Sequence, residues 1–184
     1  MSFQPKAELL KFGAKAPEFS LPGTDGKTHS LKEAAGKKAI VVIFACNHCP
    51  YVVAYEDRMI QICKDYQSKG VQFFVVNAND RKNYPEDSFE KMKIRAKEKN
   101  FPYPYLRDDD QSVATKFGAG CTPEVFLFNS NLQLAYHGRI DDNYENPDQV
   151  RAHYLRDAIT SLLKGQSVSR KETHPIGCSI KWSA

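Results

Sequence analysis

Ala39-Ile40-Val41-Val42-Ile43-Phe44-Ala45-Cys46-Asn47-His48-Cys49-Pro50 is the stretch on which the fold turns. Its first seven residues are continuously apolar and rich in branched side chains, the pattern of a central strand covered on both faces. From Tyr51 to Lys69 the period changes. Met59, Ile62, Cys63 and Tyr66 recur at three- and four-residue steps, which predicts a helix, and Gly70 stops it. Val71 to Val76 is again a buried strand. Strand, helix and strand in this order, closed by a right-handed crossover, make the two strands parallel.

The cysteine pair therefore lies between a buried strand and a helix. A thiol attacks as its thiolate, so a redox cysteine needs a lowered pKa together with access. The reading places Cys46 near the helix N-terminus, where free amide N–H groups and the dipole favour an anion. Pro50 fits, because it lacks the N–H that would bond back to the Cys46 carbonyl. Cys46 is expected to attack and the more shielded Cys49 to resolve. His48, between them, is expected to stabilise the thiolate and make the couple more oxidising; the alternative is a ring that only meets solvent.

Around this unit the chain reads as α/β. Glu18 to Leu21 and Thr28 to Leu31 flank a turn-rich segment and predict an N-terminal β-hairpin. Pro85 to Lys99 is expected to be helical, with Glu86 and Asp87 serving its dipole, and Asp110 to Phe117 a shorter helix capped from Asp108-Asp109-Asp110. Val125 to Phe128 and Leu132 to His137 predict a second hairpin, and Pro147 to Lys164 the last helix. The result is a mixed central sheet flanked by helices, one domain over residues 1–184 with 166–184 as a C-terminal tail.

Composition excludes several classes. Twenty-six Lys and Arg against 22 Asp and Glu leave a net charge of +4 over 184 residues. The basic residues are dispersed, so no nucleic-acid stripe forms. No apolar run approaches a membrane span, and Met1 to Gly13 has no signal-peptide core, so the expected location is the cytoplasm, without membrane association. Five cysteines, an odd number without framework spacing, argue against a disulfide scaffold. No Gly-rich phosphate loop or other cofactor motif is present, and no cofactor or metal is expected.

Several segments, taken in order, resemble the thioredoxin-like superfamily and its redoxin branch, related to the alkyl hydroperoxide reductase/thiol-specific antioxidant peroxiredoxins. They are Ala16-Pro17-Glu18-Phe19-Ser20-Leu21, Cys46-Asn47-His48-Cys49-Pro50, Thr122-Pro123-Glu124-Val125-Phe126-Leu127-Phe128, Gly138-Arg139-Ile140-Asp141-Asp142 and Gly177-Cys178-Ser179-Ile180-Lys181-Trp182. The resemblance implies a thioredoxin-like fold and a cis Pro123 facing the dithiol. In that case the Thr122 backbone would pair with a substrate chain. Read from the residues alone, Pro123 is equally an ordinary strand-initiating proline.

The sequence also departs from the peroxiredoxin pattern Pro-x-x-x-Thr-x-x-Cys. Ile43 stands three residues before Cys46, and Pro123 stands where the later activating Arg would fall. The expected activity is accordingly thiol–disulfide exchange, with a protein or small-molecule disulfide as substrate and an external thiol as reductant. Thiol peroxidase activity toward a hydroperoxide is the first alternative, with Arg139 as a substitute charge. Metal binding or copper delivery, joining the pair to His48, His137, Cys121 or Cys178, is the second. Cys121 and Cys178 are candidate accessory thiols. For Cys178, packing beside Trp182 outweighs a resolving role, and Cys63 is core.

Overall fold

The computed structural model describes residues 5–183. The hairpin forms as β1 (Ser20–Pro22) against β2 (Thr28–Ser30). The deciding stretch becomes β3 (Ala39–Phe44), followed by α1 (Pro50–Tyr66) and β4 (Val71–Asn77). Strands β3 and β4 pair in parallel, as the crossover requires. Gly70 ends the helical segment with φ of 92°, a conformation that needs glycine.

The central sheet has five strands, ordered β5–β4–β3–β7–β8. Its parallel edge is β5 (Tyr105–Arg107); its antiparallel side is β7 (Glu124–Asn129) with β8 (Leu134–Gly138). Strand alternation divides the interior in two. Ala39, Val41 and Ile43 face α1 and α4 (Tyr154–Leu163), meeting Val52, Tyr55, Met59, Leu155 and Ile159. Ile40, Val42 and Phe44 face the hairpin and α3 (Ser112–Phe117), meeting Phe19, Leu21, Val113 and Phe117. Every β3 residue is buried, as the unbroken apolar run anticipates.

Three boundaries differ from expectation. The helix expected from Pro85 is a single 3₁₀ turn, Pro85–Asp87, and α2 (Phe89–Lys99) begins only after Ser88 caps it by accepting Lys91 N–H. The turn aims Asp87 inward. The last helix likewise opens with a 3₁₀ turn, Pro147–Gln149, and α4 starts at Tyr154, because Val150 is extended. The third concerns pairings not read from sequence: β5, and the two-residue strands β6 (Cys121–Thr122) and β9 (Cys178–Ser179), which pair antiparallel. Among the described residues no helix is long and apolar enough to cross a membrane.

Candidate active site

Strand β3 delivers the chain to Ala45, whose N–H still bonds the Val76 carbonyl at 2.9 Å. The chain then leaves the sheet. Cys49, not Cys46, is the N-cap of α1, and Pro50 occupies the first helical turn, where a missing N–H costs nothing. Cys46 lies three residues before that cap, near the helix start as expected but not at the cap itself. The expectation of access is corrected, since Cys46 is 2% exposed and Cys49 0%.

Both sulfurs meet Thr122. Its Oγ1 lies 3.5 Å from Cys46 Sγ, and its carbonyl lies 3.2 Å from Cys49 Sγ. The Thr122–Pro123 peptide is cis. The Cys46 and Cys49 thiols are hydrogen-bonding neighbours. Cys49 is held below the ordinary thiol range first by the S–H donated from Cys46, with Cys178 and the Val52 N–H adding to it against burial. Cys46 is pushed up, first by donating to Cys49, then by burial and by the nearby Asp87 carboxylate. Cys49 is the sulfur that stands at the N-cap, and the Thr122 carbonyl accepts its S–H.

His48 does not merely meet solvent. Its Nδ1 lies 2.6 Å from Asp87 Oδ2, and its ring stacks on Tyr84 at 5.4 Å with an interplanar angle of 8°. Asp87 is fully buried and also accepts from Asn47 N (2.7 Å), Asn77 Nδ2 (3.2 Å) and Asn79 Nδ2 (2.8 Å). Tyr105 donates its hydroxyl to Asn47 Oδ1 at 2.9 Å. Arg107 donates to the Asp87 and Asn79 carbonyls at 3.2 and 2.7 Å. This network fixes the loop that carries the dithiol. The sequence reading missed its members; the one visible signal is the polar run Asn77-Ala78-Asn79-Asp80 directly after a buried strand.

The remaining candidates separate. Cys121 is buried, and its thiol is pushed up by burial and by the carboxylate of Glu124, to which it bonds. His137 is paired with Glu124 at 2.7 Å, so it does not join the dithiol as a ligand. Among the described residues the one cluster of potential metal-ligand atoms is Cys46, His48 and Asp87, within 4.8 Å of one another. The Arg139 guanidinium lies over the Tyr154 ring. Asp141 accepts from Tyr55 and Arg58, at 2.9 and 2.7 Å. Cys63 is core, its thiol raised by burial to about 12. Cys178 packs against the cluster that contains Cys46 and Cys49, and Trp182 against the other one.

A mixed sheet between helices, with a Cys-x-x-Cys pair at the start of the first long helix and facing a cis-proline, defines a thioredoxin-like protein. A solved putative thioredoxin from Neisseria meningitidis superposes with a TM-score of 0.64 at 26% identity, covering 82% of this chain and 91% of that one. The chain belongs to the Redoxin family, whose model matches residues 11–152. It is 27% identical over 132 residues to the thiol-disulfide oxidoreductase ResA of Geobacillus thermodenitrificans, covering 71% of this chain and 70% of ResA. A conserved protein from Geobacillus kaustophilus is similar over nearly the whole length, at 39% identity and a TM-score of 0.90, covering 96% of this chain and 95% of its own. These likenesses support an oxidoreductase role.

Proposed function

We propose that the protein is a thiol–disulfide oxidoreductase acting through Cys46 and Cys49. The observation that carries this reading is the Cys46/Cys49 pair at the start of α1, both sulfurs on Thr122 beside the cis Pro123. Cys46 attacks a sulfur of a protein or small-molecule disulfide as its thiolate. A mixed disulfide forms on Cys46, and the first substrate sulfur leaves as thiolate. Cys49 gives its own proton to that leaving group and, as thiolate, attacks Cys46 Sγ, giving the Cys46–Cys49 disulfide and releasing the second substrate sulfur as its thiolate. An external thiol restores the dithiol. Cys46 takes the first role because Cys49 lies deeper, beneath the Thr122 carbonyl.

Peroxide reduction is the weaker reading. The position three before Cys46 is Ile43, a buried strand residue with no hydroxyl to orient an O–O bond. Turnover of a protein disulfide and of a hydroperoxide, measured on one preparation, separates the two. Cys46→Ser is expected to lower disulfide exchange at least about a thousandfold, and Cys49→Ser to accumulate mixed disulfides with substrate. Undiminished exchange by Cys46→Ser would sink the mechanism.

A further inference from the structure

The edge of Thr122 is already taken. Strand β9 pairs with β6 in the register Thr122↔Cys178 and Cys121↔Ser179, and Ile180 N–H bonds the Gly120 carbonyl at 3.0 Å. Gly177 packs so closely that a Cβ there would collide with the Thr122 carbonyl. Lys181 continues the docking: its N–H bonds Asn79 Oδ1 at 2.9 Å, and its carbonyl accepts from Asp80 N–H at 2.7 Å. The segment that reads in sequence as a polar tail is thus fitted against the residue that touches both catalytic sulfurs.

This docking sets Cys178 opposite Thr122, whose carbonyl accepts from Cys49 Sγ at 3.2 Å, so the Cys178 and Cys49 thiols are neighbours. Cys178 is also the least buried of the three thiols at the site. The pair Cys46 and Cys49 is shut in, while the third sulfur reaches both Cys49 and the surface.

We infer that Cys178 is a third redox cysteine, which carries the disulfide from the buried Cys46–Cys49 pair to the surface for re-reduction. The step balances without any further oxidant. The Cys178 sulfur attacks Cys49 Sγ of the Cys46–Cys49 disulfide, and a Cys49–Cys178 bond forms as the Cys46–Cys49 bond breaks. Cys46 departs with the electron pair and takes up the proton that Cys178 gave up. An external thiol then attacks the half-buried Cys178 sulfur, and a second thiol completes the reduction. Gly177 lets the tail approach closely enough for this exchange.

The inference rests on the dithiol reading, and its test distinguishes the two. Full-length wild type, Cys46→Ser and Cys178→Ser are oxidised with diamide and digested without reduction, and the disulfide-linked peptides are mapped by mass spectrometry. The oxidised wild type and Cys178→Ser are then re-reduced with glutathione. Cys46→Ser is expected to give an intramolecular Cys49–Cys178 link, and oxidised Cys178→Ser to be re-reduced about tenfold more slowly than wild type or worse, since glutathione must then reach a buried sulfur. Absence of the Cys49–Cys178 link in Cys46→Ser, or re-reduction of Cys178→Ser at the wild-type rate, overturns the relay while leaving dithiol exchange standing. A wild type that forms the Cys49–Cys178 link but reduces no protein disulfide overturns the proposed function instead.

Discussion

Asp87 shows how one side chain can act on the dithiol without touching substrate. It has no exposed surface, and its carboxylate is surrounded by donors from Asn47, His48, Asn77 and Asn79. The Asp87 carboxylate beside Cys46 opposes a thiolate there. His48 is engaged with that carboxylate, which reduces any help it gives the sulfurs. The expectation that His48 makes the couple more oxidising therefore meets an opposing charge. In a Cys49→Ala background, which removes the coupling, Asp87→Asn is expected to lower the apparent pKa of Cys46 by about one unit. The same change should cost about 1–3 kcal/mol of stability, because an amide cannot accept from every donor now facing the carboxylate. The pH profile of iodoacetamide alkylation reads the first effect. An unchanged profile would remove Asp87 from the account.

Among the elements, α3 is held by a charge lying outside it. Asp108 is buried, and its carboxylate accepts Val113 N–H at 3.3 Å and Ala114 N–H at 2.8 Å. The sequence reading correctly assigns the cap to this acidic run, although Gln111 is the residue at the N-cap position. Burial raises the Asp108 pKa to about 6 from 3.8, with the two N–H groups opposing. Between those values the native state binds more protons than the unfolded chain, so stability falls as pH rises from about 4 to 6 and is flat above. Asp108→Asn keeps a carbonyl acceptor and cannot ionise. Its urea-unfolding free energy relative to wild type should rise by about 2.4 kcal/mol between pH 4 and 7. A pH-independent difference would mean that Asp108 is solvated. Elements of this size also mark where sequence stops being legible. β3, α1 and β4 could be read because period and composition agree over six or more residues. β5, β6 and β9 are two or three residues long, and partners distant in sequence decide them. Asp87 was misassigned for a related reason: Pro85-Glu86-Asp87 carries a helix-start pattern, and only the cap at Ser88 turns it into an inward-facing turn. The cysteine pair was legible because its chemistry is local; its surroundings come from four separate segments of chain.

At the level of the whole molecule, two interiors share one sheet. Alternate residues of β3, β4 and β7 belong to opposite faces, and the dithiol belongs to the face with α1 and α4. On the other face Phe117 is fully buried and packs edge-on against Phe44 at 5.4 Å, Phe126 at 5.3 Å and Phe128 at 5.9 Å. A strand cannot lose its support on one side and keep its pairing on the other. The chain should therefore unfold as one cooperative unit, in keeping with a single domain. Phe117→Ala is expected to cost about 3–5 kcal/mol, and Met59→Ala, across the sheet, about 2–5 kcal/mol. Their contacts do not overlap, so the double variant should be additive to within about 0.5 kcal/mol. Far-ultraviolet circular dichroism reports the sheet and helices, and fluorescence of the single Trp182 reports the C-terminal segment. Both should give one midpoint, displaced equally by either substitution. Two separated midpoints would mean that the tail undocks before the sheet melts, and the thiol nearest the surface would then leave the dithiol while the rest of the fold stands.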